Sequence, residues 1–133
     1  MYRQAARPSR RCPRCARRLE PWRWAGLEYD LCGGCGGTFV DAATLAQMWH
    51  ELARWNDSAP LPQPRARPAI YRLPCPACGG RMARVDVLGV PVDHCASDGL
   101  WFDPPELEIV LMAATLPFHE WLRACGGRLR QMR

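Results

Sequence analysis

The sequence predicts a small α+β fold stapled by metal: two β-hairpin units, each followed by a helix. Three observations predict it. Eight cysteines stand in a chain of 133 residues, and four of them form two Cys-x2-Cys pairs, Cys12/Cys15 and Cys32/Cys35. The pattern returns 63 positions later as Cys75, Cys78 and Cys95, with Asp98 where the fourth cysteine would fall. After each set runs an apolar period of three to four residues, the signature of an amphipathic helix.

The repeat extends beyond the cysteines. The same offset matches Pro13 with Pro76, Gly26 with Gly89, Asp30 with Asp93 and Gly36 with Gly99. Phe39-Val40-Asp41 then matches Trp101-Phe102-Asp103 after a one-residue deletion in the second unit. Such self-similarity marks a tandem duplication. It divides the chain into a first unit over 1–55, a connection over 56–74 and a second unit over 75–133. Pro60, Pro62, Pro64, Pro68 and Pro74 forbid a helix in the connection and favour extended chain. It reads as a spacer that leaves the units partly independent, or as a strap in which Ile70–Leu73 pairs as an edge strand.

In order, Leu19–Trp24 and Leu27–Leu31 flank Ala25-Gly26 as a hairpin, and Met82–Leu88 and Val90–His94 flank Gly89 likewise. Pro91 places its strand at a sheet edge. Asp41 caps a helix through about Trp55 with Leu45, Met48, Trp49 and Leu52 on its buried face. Asp103-Pro104-Pro105-Glu106 reads as a capping box with proline in the first turn, ahead of a face of Leu107, Val110, Leu111 and Ala114 that Pro117 ends. A last short helix is expected over Phe118–Cys125, before Gly126-Gly127.

A Cys-x2-Cys pair lets two sulfurs meet one ion from a tight turn, and a hairpin brings two such turns together. Sixteen residues separate Cys15 from Cys32, the spacing of a four-thiolate zinc site. Cys12, Cys15, Cys32 and Cys35 are therefore expected to hold one Zn²⁺, and Cys75, Cys78, Cys95 and Asp98 a second. His94 and a water compete with Asp98 for the fourth position, although neighbours on a strand point to opposite faces. Cys125 lies outside both repeats and reads as a free buried thiol, with a redox or metal partnership as the alternative.

CPRCARRLEPWRWAGLEYDLCGGCGGTFVDAATL and CPACGGRMARVDVLGVPVDHCASDGLWFDPPEL each resemble the bacterial zinc-ribbon domains of transcription-factor-IIB type. That family also has an ending with His in the fourth ligand position, and CASDGLWFD fits its shorter spacing with Asp98 at that place. The resemblance implies zinc ribbons. A transcriptional role does not follow from the family's name.

The net charge is +5 and every basic side chain is Arg. Residues 1–23 hold eight Arg against Glu20 alone, whereas the rest of the chain is slightly acidic. Arg10, Arg11, Arg14, Arg17, Arg18 and Arg23 with Trp22 are thus candidates for gripping phosphates and stacking bases, within a basic stretch from Arg3 to Arg23. The bland reading of the same stretch is a solvated face. No apolar run reaches the ~20 residues of a membrane span, and the basic N-terminus lacks the apolar core of a signal peptide. A cytoplasmic address and reduced thiols follow as expectations.

No nucleophile–base pair or phosphate loop is visible, so a non-catalytic interaction module is the first expectation. A protein partner stands ahead of nucleic acid, because basicity is confined to one end. Trp49, Trp55 and Trp121 are candidate contacts for such a partner. A thiol redox switch and a zinc enzyme at the second site are the lesser alternatives. The oligomeric state is not legible in the residues.

Overall fold

The computed structural model describes residues 10–56, 59, 62–67 and 72–116. The expected helix over Phe118–Cys125, and with it Trp121 and Cys125, lies outside them, as do Arg3 and Arg7. Along the chain run β1 (Glu20–Trp24), β2 (Leu27–Leu31), β3 (Thr38–Val40), α1 (Ala42–Ala53), β4 (Pro64–Ala66), β5 (Ala83–Val87), β6 (Val90–Cys95), β7 (Gly99–Phe102) and α2 (Glu106–Thr115). Both hairpins form where the turn signals place them.

The strands join in one antiparallel sheet of order β1-β2-β3-β7-β6-β5-β4. Its centre is the pairing of β3 with β7, where Thr38 faces Phe102, Phe39 faces Trp101 and Val40 faces Leu100. The two ribbons therefore meet edge to edge, and the expectation of partly independent units gives way. The reason is local. Each unit carries a short third strand after its second knuckle, too brief to show a period of its own, and each such strand covers the other's free edge.

Opposite residues share a face, so the register sorts the side chains into two layers. On one face Val40, Leu100, Phe102, Val85, Val87, Val90 and Val92 pack under Leu45, Met48 and Trp49 of α1 and Leu107, Ile109 and Val110 of α2. On the other face Phe39, Trp101, Cys12, Cys32, Cys75 and Met82 form a smaller core around the knuckles. Close approach at the junction requires glycine: a Cβ on Gly37 would collide with the Trp101 ring.

Asp41 caps α1 as expected, accepting from the Thr44 backbone N–H at 2.8 Å. Trp49 is buried, which removes it from the partner-facing tryptophans, whereas Trp55 is 90% exposed. The capping box of α2 forms only in half. The buried Glu106 carboxylate accepts from the Asp103 backbone N–H at 2.9 Å, but α2 starts two residues later than expected, at Glu106. The Asp103 side chain turns elsewhere, taking the Trp101 indole N–H at 3.1 Å and the Arg14 guanidinium at 2.9 and 2.7 Å. An aspartate that binds a distant arginine is not free to cap its own helix.

Pro91 sits in β6, an interior strand, contrary to the edge position expected of it. Proline is tolerated because β7 pairs with β6 only at Asp93–Cys95; at Pro91 the strand has its neighbour on the β5 side alone. The connection supplies an edge strand, through Pro64–Ala66 against Val87–Val85. Ile70 and Tyr71, expected in that role, lie outside the described residues.

Candidate metal centres

Each knuckle is a backbone turn closed on itself. The Cys12 N–H donates to Arg17 O at 2.7 Å and the Ala16 N–H returns to Cys12 O at 2.9 Å. The same two bonds recur at Cys32 with Gly37 and Gly36, and at Cys75 with Gly80 and Gly79. A left-handed residue follows the second cysteine in all three: Ala16 at φ 60°, Gly36 at 80° and Gly79 at 76°. The fourth turn is shorter. Asp98 N–H reaches Cys95 O at 3.2 Å, and Gly99 passes directly into β7, which is where the one-residue deletion falls.

These turns bring the ligand atoms of Cys12, Cys15, Cys32 and Cys35 within 4.8 Å of one another, and likewise those of Cys75, Cys78, Cys95 and Asp98. Thiolates at ~2.3 Å around a tetrahedral ion stand ~3.8 Å apart, whereas disulfide sulfurs are ~2.0 Å apart. Cys12 and Cys35 Sγ lie at 3.6 Å, Cys15 and Cys32 at 3.3 Å, and Cys78 and Cys95 at 3.9 Å. Asp98 Oδ2 is 3.4 Å from Cys95 Sγ and 3.6 Å from Cys75 Sγ. The spacing is that of metal ligands, and the donor sets fit two zinc ions. His94 does not join its neighbour's site. It borders a small cavity with Ala42, Leu45 and Pro64 on the helical face, and burial lowers its pKa.

Backbone donors prepare the sulfurs. Cys12 Sγ accepts from the N–H groups of Arg14 and Cys15 at 3.4 Å, Cys32 Sγ from Cys35 at 3.5 Å and Cys75 Sγ from Ala77 at 3.4 Å. Burial pushes the Cys12 and Cys75 thiols up to about 12 against these donors. Burial also raises Cys32, but the Cys35 N–H and the Cys15 side chain outweigh it and bring Cys32 down to about 6. Hydrogen bonds from Cys78 and Cys95 hold Asp98 below the usual carboxylate range. Zinc replaces the remaining thiol protons as it binds. Each site offers four protein donors, which would hold a zinc ion as a closed tetrahedral site does.

The arginines singled out in the sequence are mostly engaged within the chain. Arg10 pairs with the buried Asp30 at 2.8 Å and lies over the Phe39 ring. Arg14 bridges the two units to Asp103, and Arg23 pairs with Glu28 at 2.7 Å. Arg11 donates to Ala16 O at 3.2 Å. Arg17 and Arg18 are exposed, the former against Gly34. Trp22 is half exposed on the outer strand β1. What the sequence did not indicate is the ionic group at the junction, where Arg84 holds Asp93 at 2.9 Å close to Arg14, Asp103 and Glu106. Arg84 and Asp93 face each other in register, a pair that is evident only once the hairpin is aligned.

Neither the curated proteins nor the solved structures gave a match to this chain. A family model described as transcription factor zinc-finger matches residues 11–50 and again 74–113, more than half of the chain. Each segment contains one complete ligand set, its hairpin and its third strand. The chain belongs to this zinc-ribbon family, as a tandem member that joins its two ribbons in one sheet.

Proposed function

We propose that the chain is a non-catalytic interaction module whose two zinc ions are structural and whose partner is a protein. The carrying observation is the completeness of both donor sets. A catalytic zinc keeps a position for water or substrate, and four protein donors leave none. No helix among the described residues is long and apolar enough to cross a membrane. A reduced, cytoplasmic setting suits thiolates that hold metal.

The state of the basic stretch favours a protein over nucleic acid. Arg10, Arg14 and Arg23 already face carboxylates, so phosphate would have to displace existing partners. Strand β1 instead offers an outer edge on which all five residues are exposed, Trp22 among them. An extended peptide can add to such an edge. The test is capture on immobilised zinc-loaded protein, with and without nuclease, beside the Trp22→Ala variant. Partners that survive nuclease and are lost from the variant are expected. Partners released by nuclease would return the reading to nucleic acid.

A further inference from the structure

Among the described residues, the internal two-fold relation leaves one place uncovered. Val85, Val87, Val90 and Val92 of the second hairpin are buried on the helical face. Their counterparts 63 positions earlier, Trp22, Trp24, Leu27 and Tyr29, are exposed or only partly buried. The helices repeat the difference, since Trp49 is buried and its counterpart Leu111 is not fully so. On the second unit the cover comes from the chain that follows α1. After α1 the chain crosses the second unit: Ala59 packs on the main core, Pro62 and Pro64 line a small cavity with Leu45 and His94, and β4 pairs with β5. The corresponding half of the first unit has a groove of about 360 Å³ lined by Trp24, Tyr29, Leu52, Leu107, Leu111 and Met112.

We propose that the chain's own C-terminal residues 117–133 cover this groove, in the place that Ala59, Pro62 and Pro64–Ala66 take on the other unit. Thr115, the last residue of α2, lines the groove, so the segment starts at its mouth. Phe118, Trp121, Leu122 and Cys125 recur at i, i+3, i+4 and i+7, one apolar helical face. Eight helical residues span ~12 Å, the same length as the Leu107–Thr115 side of the groove. Leu116-Pro117 is long enough to turn one helix back along another. The docked face places the Cys125 thiol, the one cysteine outside the zinc sites, against the groove.

Alkylation of the zinc-loaded full chain by iodoacetamide tests this, with labelling of Cys125 followed by peptide mass spectrometry. Cys125 should react at least roughly tenfold faster in Trp121→Ala than in the parent, because labelling then tracks local opening of the segment. Trp121 lies outside both ribbons, and two retained zinc ions in the variant show that the ribbons are intact. Leu111→Asp, on the groove side, should give the same acceleration. Equal rates in parent and Trp121→Ala would overturn the proposal. So would protection that grows with protein concentration alongside dimer formation, which would assign the groove to a second copy.

Discussion

Phe39 lies directly opposite Trp101 in the central strand pair, and the two are counterparts in the internal repeat. A residue that pairs with its own counterpart marks a two-fold axis, so the two ribbons meet as the halves of an isologous dimer do. Both rings are fully buried between the two metal centres. The linkage makes the zinc sites parts of one folding unit.

Coupling across that axis can be measured. Cys15→Ser removes one thiolate from the first site, and metal-binding free energy there is folding free energy. Zinc content should fall from two to one per chain, and the second unit should lose stability with the first, since β7 then has no folded partner in β3. Urea unfolding followed at Trp101 and by amide exchange in α2 would show the loss. Unchanged protection in α2 would mean that the ribbons fold separately.

The junction tolerates no added atom at Gly37. Gly37→Ala forces a methyl group into Trp101 and should cost about 1–3 kcal/mol. At Gly26 a Cβ meets nothing within 4 Å, so Gly26→Ala carries only the cost of its φ of +79°, about 1 kcal/mol. Thermal melts of the two variants should rank in that order.

Much of this was legible in the residues. The repeat of Cys12, Cys15 and Cys32 located both sites, and Ala25-Gly26 and Gly89 located both hairpins. Asp98 could be set against His94 by strand alternation alone. The junction was not legible, because three or four residues such as Thr38-Phe39-Val40 carry no period and nothing local says which edge they cover. The arginines misled for a related reason. Arg14 and Asp103 are 89 positions apart, and only the assembled sheet brings them together.

The two metal sites should differ in strength. Asp98 contributes a hard oxygen where the first site has a soft thiolate. Under graded chelation the Cys75 site should release zinc first, and Asp98→Cys should bring its release level with that of the Cys12 site. NMR signals of the two knuckles would track each step. Earlier release from the Cys12 site would contradict the ranking.

Burial and the neighbouring Asp103 carboxylate raise Glu106 to about 8 from an ordinary 4.5. Between these values the folded chain carries one proton more than the unfolded chain, so stability falls as pH rises and levels off above about 8. From about pH 6 to about pH 8.5 the loss should be about 2–3 kcal/mol. Glu106→Gln keeps the shape without the titration and should remove that part of the slope. Equal slopes in zinc-saturated parent and variant would count against a protonated Glu106.

The most direct test is zinc quantified during unfolding of protein purified without added metal. The account predicts close to two zinc ions per chain, and a sheet that collapses as chelator removes them. A chain that holds no zinc, or that keeps its seven-stranded sheet after both sites are emptied, would contradict it.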